Sequence, residues 1–417
     1  MPRLNQLRLF RALSHRPIFT LWMGEAFSAI GDEIYKVALV WLAVGMVGAD
    51  AGYLAAGQAA AVLAFGLVGG MWADHWDPRQ TMLRTDIVRG LLVLIPVVWV
   101  HFLPLNMVVL AFVAISVASL SAFFEPALQA VVPRLAKDRE LMQATNGLMG
   151  TTSRFARTVG PAAVGSFTGI LPTIHFFTLD AITFFLSAYA IMCLKKDLPA
   201  RPSSTKVRLG PVQSIKAGFA IIQGDALMKY VLTAKALASG CWNVVIPLGV
   251  ALLVQKHLPG DVRAYGWLLA SYGVGNLAGA LVLSNISIRK PMYTMGWGFA
   301  LLGVGFIGLT LTPSLPVMMA FAALAAIGGP MNDLAHIDVI QQRFPPEELV
   351  RVVRFRMAVE YSGIFVALML APTLFRLLPP ERVVAWAGFG ILVAGLAGLA
   401  FFAEKETPAA VRVPAQP

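Results

Sequence analysis

About twelve apolar runs follow one another along the chain, each long enough to cross a bilayer, and very few folds can be built from such a pattern. A hydrocarbon core about 30 Å thick takes roughly 20 helical residues to span. Runs at 17–47, 51–74, 82–103, 106–132, 141–168, 171–194, 226–254, 264–284, 292–312, 316–340, 349–376 and 382–403 meet that length. They are continuous and rich in Leu, Ala and Gly rather than ten-residue stretches alternating at period two, which argues for helices and against a barrel. With 58% hydrophobic and 13% charged residues among 417, a single soluble core would leave large apolar surfaces wet. The expected fold class is an all-α membrane protein with twelve transmembrane helices.

The net charge of +11 would suggest nucleic acid in a soluble protein, but here it follows topology. With the N-terminus in the cytoplasm, Arg8, Arg16, Arg79, Arg134, Lys195, Arg289 and Arg351 fall inside, while Lys256, Arg263, Arg376 and Arg382 fall outside. This is the positive-inside pattern, so both termini are expected in the cytoplasm and no nucleic-acid partner is implied. The first run is too long for a signal peptide, carries acids and has no convincing cleavage site. Cys193 and Cys241 both fall in apolar runs and form no metal or disulfide pattern.

The chain turns polar at KKDLPARPSSTKVRLGP, after the sixth run, and the segment VQSIKAGFAIIQ (212–223) behind it is short and amphipathic, suited to the membrane surface. The expected organisation is an N-terminal six-helix bundle over 1–195, a cytoplasmic linker over 196–213, a C-terminal six-helix bundle over 214–403 opening on an interfacial helix, and a cytoplasmic tail over 404–417. The halves read as a duplication: Gly31 and Gly240, Gly70 and Gly279, and Arg134 and Arg343 are each 209 residues apart. Two similar bundles with a substrate site between them make a natural rocker.

Charges inside the runs stand out, since an ionisable side chain at mid-bilayer costs on the order of 2.5–3.5 kcal/mol on insertion scales. Glu25, Asp32 and Lys36 share one stripe of the first span, with Glu33 about 100° away. Asp32 and Lys36 are either a static i to i+4 pair or part of a proton-handling group. Arg157 in the fifth span and Asp180 in the sixth lie at nearly equal depth and are expected to form a structural ion pair. Arg154, one turn deeper, is expected to face the acids of the first span and to suit an anionic substrate group. Glu125 precedes Pro126 in the fourth span, and Asn332, Asp333, His336 and Asp338 gather in the tenth. That group suits a proton relay, a divalent-metal site or a hydrogen-bonded gate. Glu360 and Tyr361 are a further polar pair. Trp242 and Asn243, which align with Glu33 and Ile34 under the 209 shift, are expected to line a cavity. No GxxxxGK[ST] loop is present to bind ATP, and no HExxH or GxSxG motif appears, so no enzymatic activity is expected and an ion gradient is the expected energy source.

Four stretches carry a family resemblance: GGMWADHWDPRQ (69–80), FFEPALQAVVPRL (123–135), NGLMGTTSRFARTVGPAAVG (146–165) and FFTLDAITFFLSA (176–188). Through them the chain resembles the major facilitator superfamily, within it the twelve-helix drug and siderophore exporters that include the enterobactin and macrolide exporters. The resemblance implies two pseudo-symmetric six-helix bundles and a first helix lining a central cavity. It implies a cytoplasmic latch built from Gly70, Asp74 and Arg79, with Asp77, Pro78 and Gln80 departing from the family pattern. It also implies an antiport-type motif at Gly160, Pro161 and Gly165. The expected activity is export of a small amphipathic molecule across a bacterial inner membrane in exchange for protons, by a monomer needing no cofactor beyond the proton gradient. Asp32 would carry the proton, with Glu25 or Glu33 assisting. A lysophospholipid-handling facilitator or a divalent-metal exporter of the same fold are the alternatives.

Overall fold

The computed structural model describes residues 12–72, 77–136, 138–194, 211–284, 286, 288 and 290–402. Among them every regular element is helical. The helices are α1 (Arg16–Val47), α2 (Ala51–Trp72), α3 (Pro78–Trp99), α4 (Met107–Leu135), α5 (Arg139–Phe167), α6 (His175–Cys193) and the short α7 (Pro211–Ile222). After them α8 (Ala226–Asn243) widens into a π-helical turn, Val244–Gly249, with Pro247 inside it, and continues as α9 (Val250–His257). The series ends with α10 (Val262–Ser284), α11 (Pro291–Gly308), α12 (Leu315–Arg343), α13 (Pro346–Leu377) and α14 (Pro380–Phe401).

Short polar side chains set where the helices start. Asp77, Asn106, Asp138 and Asp225 each accept a hydrogen bond from a first-turn backbone N–H of α3, α4, α5 and α8, and such a cap contributes about 1 kcal/mol. Proline opens α3, α11, α13 and α14, where its missing N–H costs nothing. The Asp77-Pro78 start carries α3 four residues beyond the apolar run expected at 82–103, because capping rather than hydropathy decides that end.

Eight stretches among the described residues are long and apolar enough to cross a membrane. By that measure α3, α5 and α11 fall short. The first carries Arg84, Asp86 and Arg89, the second Arg154 and Arg157, and α11 is rich in glycine. Large apolar side chains such as Leu91, Phe112, Tyr189, Trp297, Leu370 and Trp386 are exposed on the helices, a surface suited to acyl chains rather than water.

Packing divides the chain into two compact units, Met1–Arg208 with Val250–Ala270, and Leu209–Gly249 with Ser271–Pro417. This differs from the single cut expected near 196–213, because α9 and the start of α10 pack with the first unit. There Trp41 of α1 stacks on Tyr265, with ring centroids 5.5 Å apart. In the first unit α1 packs on α5 and α6, and α3 on α4 and α6; in the second α8 packs on α13, and α11 on α12 and α14. Small residues make the closest seams. A side-chain carbon on Gly303 would lie 2.5 Å from the Gly388 carbonyl oxygen, and one on Gly298 would lie 2.9 Å from that of Gly328. Such helix pairs associate through backbone proximity rather than large side chains.

The amphipathic α7 lies along α13, with Phe219 and Phe355 in ring contact at 5.8 Å. Asp74, linker residues 196–210 and the tail 404–417 lie outside the described residues. Arg79 is described, and its guanidinium donates to the backbone carbonyls of Ile191 (3.0 Å) and Met192 (2.9 Å) at the end of α6. A cation there satisfies carbonyls that the helix leaves open. Arg79→Ala is therefore expected to lower stability by about 1 kcal/mol, read as a lower melting temperature of the purified protein, with Arg79→Lys intermediate.

Candidate functional site

The first unit buries a complete guanidinium. Arg89 of α3 is 3% exposed and paired with Asp86, one turn earlier and fully buried. Its Nη1 donates to Ser121 Oγ of α4 at 3.2 Å. The rings of Phe124 (α4) and Phe184 (α6) approach it at 4.4 and 4.5 Å, a cation–π clamp that is strongest where water is excluded. Acids gather around this cation. The charges acting most on Arg89 are Asp86, Asp32 and Glu25, and Arg89 in turn acts on Glu125 of α4 and Asp180 of α6. Five carboxyl groups from four helices thus share one guanidinium as their common electrostatic neighbour.

The stripe predicted on α1 meets this cluster, but its internal pairing differs. Lys36 Nζ donates to Glu33 Oε1 at 2.8 Å, not to Asp32, so the static Asp32–Lys36 pair, one of the two readings of the stripe, is not the one that forms. Glu33 is held where α1 crosses α5: a side-chain carbon on Gly160 would lie 2.5 Å from Glu33 Cβ. The antiport-type motif therefore acts in packing. Gly160 admits α1, while Gly165 and Pro161 admit the backbone of Gly266 at the start of α10.

The Arg157–Asp180 pair is corrected. No ion pair joins them among the described residues: Arg157 is exposed on α5, whereas Asp180 is fully buried on α6. Thr183 Oγ1 of the same helix donates to the Asp180 backbone carbonyl at 2.8 Å and lies 3.4 Å from its carboxylate. The two side chains differ in exposure and so do not meet. Arg154 likewise makes no ion pair with the acids of α1 among the described residues; Gly150 of its own helix lies against its guanidinium.

The second unit has a cluster of its own. Lys235 of α8 reaches Asp333 of α12 at 2.5 Å and lies 4.0 Å from Glu360 of α13. Glu360 also accepts from Ser239 Oγ at 2.7 Å and lies 3.7 Å from Arg356. His336 and Asn332 of α12 are buried beside it, the histidine fully, and Lys235, Arg356 and Asp333 are the charges that act on the imidazole. Trp242 Nε1 donates to the Tyr272 hydroxyl at 2.7 Å, and Asn243 Nδ2 to the Ser239 carbonyl at 2.9 Å, so both are held by partners within their own unit. Among the described residues no group of three His, Cys, Asp or Glu side chains could hold a metal ion.

Asp86, Arg89, Lys235 and Ser239 were not among the residues singled out from sequence. Their signal was available, since each is a polar side chain inside or at the edge of an apolar run. The repeat also registers differently in packing. Gly31 faces α6, whereas Gly240 faces α13 through Gly363 and Ala367. The matching contacts are Gly160 on Glu33 and Gly363 on Ala236, related by 203 residues rather than 209, and this shift sets Asp32 against Lys235.

Many apolar helices around charged clusters, one of them buried, define a multi-pass membrane protein. The sequence model of the transmembrane secretion effector family matches residues 9–405, and the chain belongs to that family. It is 26% identical over 405 residues to the MFS-type transporter YfiS of Bacillus subtilis (strain 168), covering 92% of this chain and 88% of that one. It is 21% identical over 349 residues to macrolide efflux protein A of Streptococcus pyogenes, covering 80% and 83%. In fold it is similar to the crystal structure of a POT family transporter in complex with 5-aminolevulinic acid, with a TM-score of 0.73 at 14% identity, covering 94% of this chain and 97% of that one. The protein is a major facilitator transporter.

Proposed function

We propose that the chain exports a small amphipathic molecule across a bacterial inner membrane by proton antiport, as a monomer with twelve spans in two six-helix bundles and both termini in the cytoplasm. The observation that carries this reading is the imbalance in the first unit, where Glu25, Asp32, Asp86, Glu125 and Asp180 surround Arg89. Asp86 and Asp180 are buried, Glu25 and Asp32 half-buried and Glu125 exposed; buried carboxylates in excess of their cations are expensive, so protons are the natural remaining counter-charge there. A site that gains and loses protons with its exposure to either side can bias two conformations and couple them to a gradient. The efflux function named for the macrolide relative supports the outward direction.

Asp32 is the proposed exchanging acid, because it belongs to the α1 stripe and neighbours both Arg89 and Lys36. Purified protein in vesicles with an imposed pH gradient, loaded with a radiolabelled macrolide as probe, tests the reading. Asp32→Asn is expected to reduce gradient-driven flux at least tenfold while leaving the melting temperature within a few degrees of wild type. Wild-type flux from that variant would remove Asp32 from the coupling role.

A further inference from the structure

We propose that the seam between α1, α3 and α6 is a buried proton and water site, in which Glu25, Asp86 and Asp180 share protons through bound water. It deepens the antiport reading and rests on it only for what the protons drive.

The helices place the groups in a column. Along the antiparallel contact of α1 with α6, Gly24 lies against Ser187, Gly31 against Asp180, and Tyr35 edge-on to Phe177 at 5.1 Å. Glu25 to Tyr35 is ten residues, about 15 Å of helix axis. Asp86 and Arg89 join from α3, Arg89 beneath Phe184 and Asp86 facing Ser187. Six polar atoms on this column are buried without a hydrogen-bond partner among the described residues: Glu25 Oε1, Tyr35 Oη, Asp86 Oδ2, Arg89 Nε, Asp180 Oδ2 and Ser187 Oγ.

Buried polar groups in native proteins are nearly always satisfied, and orphaned ones gathered in one place mark bound water. Gly24 and Gly31 bring the α1 backbone so close that no larger side chain could serve instead. Ser187 Oγ stands beside the Asp86 carboxylate as a donor to the set. The charges point the same way. Three acids on the column face one guanidinium, and the groups around them add two acids, Asp32 of α1 and Glu125 of α4, and one cation, Lys36 of α1. A water-linked set of carboxyls with too few cations reaches neutrality by holding protons. Asp180, expected from sequence to serve a structural ion pair, thereby becomes part of the proton-handling set.

Infrared spectroscopy of the purified full-length protein tests this without a substrate. A protonated buried carboxyl has a C=O stretch above the carboxylate and amide bands, and it shifts in heavy water. The wild type at neutral pH is expected to show this band, and Glu25→Gln, Asp86→Asn and Asp180→Asn are each expected to reduce it by about a third. Ser187→Ala, which removes no acid, is expected to shift its frequency at unchanged area, and serves if an acid variant fails to fold. The absence of the band in wild type, or a band unmoved in all four variants, overturns the proposal. A band that responds as expected in a protein whose macrolide flux ignores the pH gradient would uphold the proton site and sink the antiport reading instead.

Discussion

Arg89→Leu is expected to destabilise the protein more than any other single charge removal in the first unit. The substitution keeps an apolar side chain between Phe124 and Phe184 but strips Asp86 of its partner and leaves the surrounding acids without their shared cation. Breaking a buried pair from one side costs about 3–5 kcal/mol, because the remaining charge is stranded. Removing both charges together is cheaper, so Asp86→Asn combined with Arg89→Leu should recover much of the loss. The check is a double-mutant cycle in melting temperature on protein purified in detergent. If Arg89→Leu melts with the wild type, or if the two single losses simply add, the cluster is not organised around this guanidinium.

The second large effect is expected at Gly31. An alanine there would put its Cβ 2.0 Å from Thr183 Oγ1 and 2.7 Å from Asp180 Oδ1. Thr183 is β-branched and stiff at χ1, so it cannot simply rotate away, and α1 would have to lift from α6. Overpacking of this kind costs about 1–3 kcal/mol, and here it also parts the column that carries Asp180. Thr183→Ala in the same chain should return a good part of the stability, since it removes the nearest clashing atom. Gly390→Ala is the control, because nothing lies within 4 Å of a carbon added there and alanine favours the helix by about 1 kcal/mol. Equal yields and melting temperatures for Gly31→Ala and wild type would contradict the packing described for α1.

The helices were legible because apolar runs of bilayer length leave the backbone few choices, whereas ends set by caps, such as Asp77-Pro78, do not show in hydropathy. The α1 stripe was legible too: spacing alone put Glu25 and Asp32 on one face, and both come under the influence of Arg89. Partner choice was not. Depth can be counted along a span, so Arg157 and Asp180 could be levelled, but the direction each helix turns depends on neighbours that only packing reveals. Asp86 and Arg89 were missed because the polar beginning of α3 reads as the edge of a membrane run, although Arg89 is buried as deeply as a core leucine. Lys235 was missed for a different reason. Glycine anchors 209 residues apart set Asp32 opposite Cys241, whereas the Gly160 and Gly363 contacts set it opposite Lys235.

A π-helical turn holds one residue more than an α turn of the same helix. Should the Val244–Gly249 turn tighten, α9 would swing by about 100° and advance by about 1.5 Å, and Leu253 and Val254, now turned inward, would trade faces with their neighbours. Pro247 lies within that turn and has no amide hydrogen to give, so the backbone ladder is one rung short where α8 runs into α9.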